Sequence, residues 1–215
     1  MKKIILAIII IFVVAVAAFL YIGRSVSAPT VDINQVSSKL PAGSATGTTY
    51  SISAEKSLVT FSISELLSGK PKLVIGTTTQ IAGEIALADG RYEIGTIKIN
   101  ARTFVTDNKS RNGALNRLIL KSEDPANEFI VFTPTSNNFT GRTFDVPGNI
   151  TIAGVTQPIV FKVNITSSGD TLVGTAETRI KRGDFNLVIP NLAFIANVDE
   201  EFPVKVDIVA EKIMK

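Results

Sequence analysis

The sequence predicts a mainly β protein, a sandwich or barrel of short antiparallel strands, held at a membrane by one N-terminal helix. Three observations point there: an unbroken apolar run at the start, a strict period-two alternation from residue 49 onward, and turn signals between the alternating stretches. The run extends from Ile4 to Ile22, follows Lys2-Lys3 and closes at Gly23-Arg24. As a helix it rises about 28 Å, close to the hydrocarbon thickness of a bilayer and longer than a signal-peptide core. Residues 1–24 therefore read as a single-pass anchor, with Val26-Ser27-Ala28 as the alternative processing site of a cleaved signal peptide. The two lysines keep the short side in the cytoplasm, which places the rest in the extracytoplasmic (periplasmic or extracellular) space.

Residues 25–48, rich in Ser, Thr, Ala, Gly and Pro, have no sustained period and read as a flexible linker. Residues 49–215 suffice for one domain with a full core. Val59, Phe61 and Ile63 alternate with Thr60 and Ser62, and Ile97 and Ile99 with Lys98 and Asn100. Phe161 and Val163 alternate with Lys162 and Asn164, and Val206 and Ile208 with Lys205 and Asp207. Each stretch is a strand with one apolar face. Asp89-Gly90, Pro147-Gly148, Ser168-Gly169-Asp170 and Arg182-Gly183-Asp184 read as the turns between strands. One stretch departs from this: in Ser110–Lys121 the residues Leu115, Leu118 and Ile119 form an apolar helical face, and Asp124-Pro125 ends a short helix laid on the sheet or across a barrel end.

Composition excludes several functions. With no cysteine there are no disulfides, thiolate nucleophiles or thiolate metal sites, and with no histidine there is no Ser-His-Asp triad and no usual zinc site. No paired carboxylates can be assigned to facing positions, so no catalytic residue, metal ligand or cofactor is expected. Asp199-Glu200-Glu201 reads as a solvated turn, and Arg182 with Asp184 as a turn salt bridge. Three of the 22 Lys/Arg lie in residues 1–24, leaving 19 against 19 Asp/Glu in the remainder. That balance, without a basic stripe, argues against a nucleic-acid partner.

An ordered series of segments resembles a known family. Tyr50-Ser51-Ile52 with Ser57-Leu58-Val59-Thr60-Phe61, Gly76 through Gly83-Glu84-Ile85, and Ile97-Lys98-Ile99-Asn100-Ala101-Arg102-Thr103-Phe104 with Thr106 and Arg111 are similar to the YceI-like proteins, an exported polyisoprenoid-binding family. Glu128–Phe132, Gly148–Ile159 and Lys181-Arg182-Gly183-Asp184-Phe185 continue the resemblance in order. It implies an antiparallel lipocalin-like β-barrel of about eight strands with a short helix, holding a polyisoprenoid or other long-chain lipid inside. The ligand-binding set expected from the inward alternation and the resemblance is Phe61, Ile63, Ile97, Ile99, Thr106, Arg111, Phe161 and Val163. The alternative is an envelope interaction module with a filled core. Two departures stand out. Asn112-Gly113-Ala114 follows Arg111 where the family often has an acidic residue and a histidine, and Asn186 follows Phe185 where the family often has glycine.

Overall fold

The computed structural model describes residues 32–33, 40, 47–67, 69–189, 195–196 and 198–213. The expected anchor, residues 1–24, lies outside these; among the described residues no helix is long and apolar enough to cross a membrane. Of the linker, Ile33 is buried and the Leu40 amide donates to Glu84 Oε2 at 3.3 Å.

The strand segments are β1 (Thr48–Ile52), β2 (Leu58–Leu67), β3 (Lys70–Thr78), β4 (Ile81–Ala82), β5 (Glu84–Ala88), β6 (Arg91–Ile94) and β7 (Ile97–Asn100). After a helical insert follow β8 (Phe129–Pro134), β9 (Phe139–Thr140), β10 (Thr143–Ile152), β11 (Val155–Ser168), β12 (Thr171–Lys181), β13 (Ile195–Ala196) and β14 (Glu201–Lys212). All pairings are antiparallel. Fourteen strand segments among the described residues exceed the expected eight or so because a curling strand is interrupted where it changes partner. β4 pairs β7, whereas β5, one residue further on, pairs β1 and β6. Gly83 stands at that break, and a Cβ there would lie 2.3 Å from Ile97 Cδ1 and 3.0 Å from Ile52 Cδ1. β1 and β2 are likewise separated by the turn around Ser57, whose hydroxyl donates to the Val209 carbonyl at 3.2 Å and accepts the Val209 N–H at 3.0 Å.

The sheet curls until its last strand meets its first. β14 pairs β12 along one edge and both β1 and β2 along the other. The curl stays open beside β3, which pairs β2 on one side and, on the other, meets the insert through the Thr77–Val105 bridge. The result is a lipocalin-like antiparallel sheet with one short α-helix among the described residues. Its inner face carries the core: Tyr50, Ile52, Val59, Ile85, Val146, Phe161, Val163, Ile165, Leu172, Val206 and Ala210 are all buried.

Two hairpins close on paired left-handed residues, the expected Asp89-Gly90 turn and Ala153-Gly154, which is not among the expected turns. Asp89-Gly90 and Ala153-Gly154 have φ of 51° and 74° and of 49° and 81°, the paired left-handed conformations of a two-residue hairpin. Pro147-Gly148 is not a turn; it lies within β10, where the Pro147 carbonyl accepts from the Thr135 N–H at 3.0 Å. Glycine is needed there because a Cβ would lie 2.4 Å from the Phe132 ring. Gly76 does the same for Phe61: the two face each other across β2 and β3, and a Cβ at 76 would come within 2.2 Å of the ring. A ring lying on a strand glycine covers its exposed backbone. Gly76→Ala is expected to destabilise by about 1–3 kcal/mol through overpacking, measured by urea unfolding, and a cost near zero would contradict this packing.

The insert holds α1 (Lys109–Ala114), continued by a π-helical turn over Leu115–Ile119. The expected apolar face is corrected here. Leu115 is buried and Ile119 packs on the core, whereas Leu118 is exposed. The wider i→i+5 turn, closed by the Leu120 N–H on the Leu115 carbonyl at 2.8 Å, rotates Leu118 outward and brings Leu120 in.

Both ends of the insert are tied together beneath it. Asn100 and Ser122 are fully buried and Glu128 nearly so. Asn100 Nδ2 donates to Glu128 Oε1 at 3.3 Å, and its Oδ1 accepts the Arg102 N–H at 3.0 Å. The Arg102 guanidinium donates to the Ser122 carbonyl and, at 3.2 Å, to the Glu123 carbonyl, and stands 3.5 Å from Glu128 Oε2.

Candidate functional site: a charged mouth over an apolar row

On β2 the inward positions are Val59, Phe61, Ile63 and Glu65. The first three are apolar; the fourth is a carboxylate whose side chain is only 8% exposed. The β2–β3 hairpin sets Lys72 opposite Glu65 in register. From the insert, α1 brings Arg111 over the same point: Nη2 donates to Glu65 Oε1 at 2.9 Å, and Nη1 to Asp107. Asp107 also pairs with Lys72 at 2.9 Å. Four charges therefore alternate in sign, Lys72, Asp107, Arg111 and Glu65, where the helix meets the hairpin.

A cation in the first turn of a helix opposes the helix dipole. Two carboxylates offset that cost here. The Asn108 side chain caps the helix by accepting the Arg111 N–H at 3.1 Å, and Asn112 Oδ1 accepts both the N–H and the hydroxyl of Thr106 at 2.8 Å. The Asn112 departure thus has a local role in ordering the loop.

The hydrogen bond from Lys72 is the chief reason that the Asp107 carboxyl titrates below its ordinary value of 3.8, with the Arg111 charge adding to it. A carboxyl with a depressed folded-state pKa favours the folded state above its unfolded value and loses that contribution as pH falls through the folded value. The contribution of Asp107 is therefore complete above about pH 5 and is lost only at strongly acid pH.

The expected ligand-binding residues fall into two groups. Phe61, Ile63, Thr106 and Arg111 gather at the mouth. Phe61 lies 5.5 Å from Phe104 and 6.1 Å from Phe202, ring centre to ring centre, and forms the floor. Ile63 is half-buried between that floor and Glu65. The Thr106 hydroxyl is engaged by Asn112 within its own loop. Ile97, Ile99, Phe161 and Val163 belong to the core across the sheet. Ile97 stands opposite Phe132, whose ring meets Phe161 edge-on at 4.9 Å, and Val163 is buried beside it.

Glu65, Lys72, Asp107, Phe104 and Phe202 are the site residues absent from that set. Glu65 was readable, being the next inward position after Ile63. Lys72 and Asp107 depend on register and on the fold of the insert, which no local signal carries. Arg182 pairs with Glu200 at 2.9 Å and not with Asp184, because the guanidinium reaches across to the chain entering β14 and also donates to the Asp199 and Leu187 carbonyls. Asn186 adopts φ 53° at the end of the 182–185 turn, a left-handed position open to glycine and tolerated by asparagine, which accounts for the second departure. An open depression of about 340 Å³ along β11, β12 and β14, lined by Asn164, Val173, Gly174, Thr175, Asp207, Ile208 and Val209, is distinct from the mouth.

A curled antiparallel sheet with an apolar inner face and, among the described residues, one short α-helix beside its opening defines a lipocalin-like fold. The chain belongs to the YceI-like family: the family's YceI-like domain model matches residues 50–210. Among solved structures it is similar to BcnA of Burkholderia cenocepacia, with 18% identity, a TM-score of 0.60 and coverage of 74% of this chain and 98% of the other. It is also similar to a polyisoprenoid binding domain from Saccharophagus degradans implicated in plant cell wall breakdown, with 18% identity, a TM-score of 0.60 and coverage of 76% and 98%. A YceI protein of Campylobacter jejuni matches at 16% identity and a TM-score of 0.52, over 63% of this chain and 82% of the other. No curated protein matches the chain.

Proposed function

We propose that this protein is a membrane-tethered, extracytoplasmic lipid carrier that holds a polyisoprenoid or similar amphipathic chain inside the curled sheet, and performs no chemistry on it. The observation that carries the reading is the row on β2: Val59, Phe61 and Ile63 lead inward from Glu65, which Arg111 and its partners surround with polar groups. An amphipathic ligand needs that sequence of surroundings, an apolar lane ending in hydrogen-bonding groups for its head. Each isoprene unit brings five carbons, and at about 0.8 kcal/mol per buried CH₂ this is on the order of 4 kcal/mol gross, so a few units suffice. The Saccharophagus degradans domain, described as polyisoprenoid-binding, supports the ligand class.

The test is thermal unfolding with added long-chain isoprenoid alcohol. A ligand at a hundred times its dissociation constant stabilises by about 2.7 kcal/mol, so the melting temperature should rise and saturate. No rise across the soluble range of the alcohol would contradict the reading. The second reading, an interaction module with a filled core, draws on the buried Phe132–Phe161 contact at the centre.

Tethering rests on residues 1–24. N-terminal sequencing of the membrane fraction is expected to recover the Lys2-Lys3 terminus; a chain beginning at Pro29 would show the run to be a cleaved signal.

A further inference from the structure

The carboxylate at the end of the β2 lane has one oxygen in use and one to spare. Glu65 Oε1 accepts from Arg111 Nη2 at 2.9 Å, whereas Oε2 has no partner among the described residues. The side chain is only 8% exposed, so bulk water reaches it poorly. No fully buried side-chain oxygen or nitrogen lacks a partner among the described residues, and Oε2 therefore borders space that another group can enter. A carboxylate held by a guanidinium is an acceptor only. The group that completes it has to be a hydrogen-bond donor.

Charge narrows the choice further. Lys72 stands opposite Glu65 in register but pairs with Asp107 at 2.9 Å, and Arg111 is shared between Glu65 and Asp107. Two cations meet two carboxylates, and neither cation is left over for an anionic head. A phosphate beside Glu65 would bring like charges together where little water screens them, a cost that a neutral group does not meet. Behind Glu65, Phe61 and Ile63 stand opposite Gly76 and the buried Val74, so the lane is apolar up to its last step.

On the reading that the sheet carries a lipid, we propose that its head group is an uncharged donor, the free hydroxyl of a long-chain isoprenoid alcohol, whose O–H donates to Glu65 Oε2. A phosphate or diphosphate ester is rejected by its charge, and an ether or a quinone because each brings only acceptors to an acceptor. Glu65 is then the residue that determines head-group specificity. Lys70 and Lys109, exposed further out on the hairpin and the helix, are where a phosphorylated head would be held instead.

The test is a competition read in one native mass spectrum. The full-length protein in mild detergent is incubated with an equimolar mixture of geranylgeraniol, geranylgeranyl methyl ether and geranylgeranyl diphosphate, which differ only at the head and separate by mass. Loss of a hydrogen bond to a charged group predicts that the alcohol adduct exceeds the ether adduct by about tenfold or more, and the diphosphate adduct should be weaker still. In Glu65→Gln the amide can donate as well as accept, so the ratio of alcohol to ether should fall towards one. That ratio is taken within each variant, so a loss of folded protein cancels from it. Equal occupancy by the three compounds, or a dominant diphosphate adduct that Lys70→Gln removes, would overturn the proposal while leaving lipid carriage in place. A preference for the alcohol that persists unchanged in Glu65→Gln would overturn the assignment to Glu65. Retention of none of the three by the unsubstituted protein would overturn both this proposal and the carriage on which it rests.

Discussion

Replacing Arg102 by alanine is expected to destabilise the domain by about 3–5 kcal/mol, the range for breaking a buried ion pair. Glu128 is nearly inaccessible, and Arg102 also holds the carbonyls of Ser122 and Glu123, so one substitution removes a cation from beside Glu128 and loosens both ends of the insert. Urea unfolding measures the loss. Arg102→Ala with Glu128→Gln should recover part of it, because the remaining amide needs no counter-charge. A cost below about 1 kcal/mol, the range of ordinary surface changes, would show that the cluster does not clamp the insert.

The second large effect is expected at the mouth. Arg111→Gln should cost about 3 kcal/mol, at the lower edge of the range for a broken buried pair because the Arg111 side chain is 20% exposed while Glu65 is 8% exposed. A double-mutant cycle with Glu65→Gln should give a coupling energy of about 1–3 kcal/mol. Additive single effects would place the two charges in independent surroundings. The same variants separate structure from binding: lipid retention that falls in Arg111→Gln and is not restored when stability is recovered by other means assigns Arg111 to the head group. Undiminished retention beside a large stability loss removes it from the site.

These two clusters show what the sequence can and cannot reveal. Alternation identified the inward residues of β2 as far as Ile63, and one more step reaches Glu65, because a pleated strand repeats every two residues whatever the side chain. The partners of Glu65 and Glu128 come from the insert, whose path depends on a π-turn and on backbone carbonyls at 122 and 123, neither of which leaves a periodic trace. The same wide turn exposed Leu118 against its helical spacing. Pro147-Gly148 misled for a different reason: its glycine makes room for Phe132, a contact with a residue fifteen positions or more away in sequence. Strand breaks at Gly83 and Ser57 were invisible because they arise from a change of neighbour, not from local preference.

The most direct test of lipid carriage is native mass spectrometry of the full chain, extracted in mild detergent and released from it in the instrument. The account predicts a co-purifying mass in the range of a polyisoprenoid or comparable long-chain lipid, depleted in Arg111→Gln if that residue holds the head group. A single lipid-free mass, unchanged after incubation with isoprenoid alcohol, would contradict it and leave a filled-core interaction module in its place.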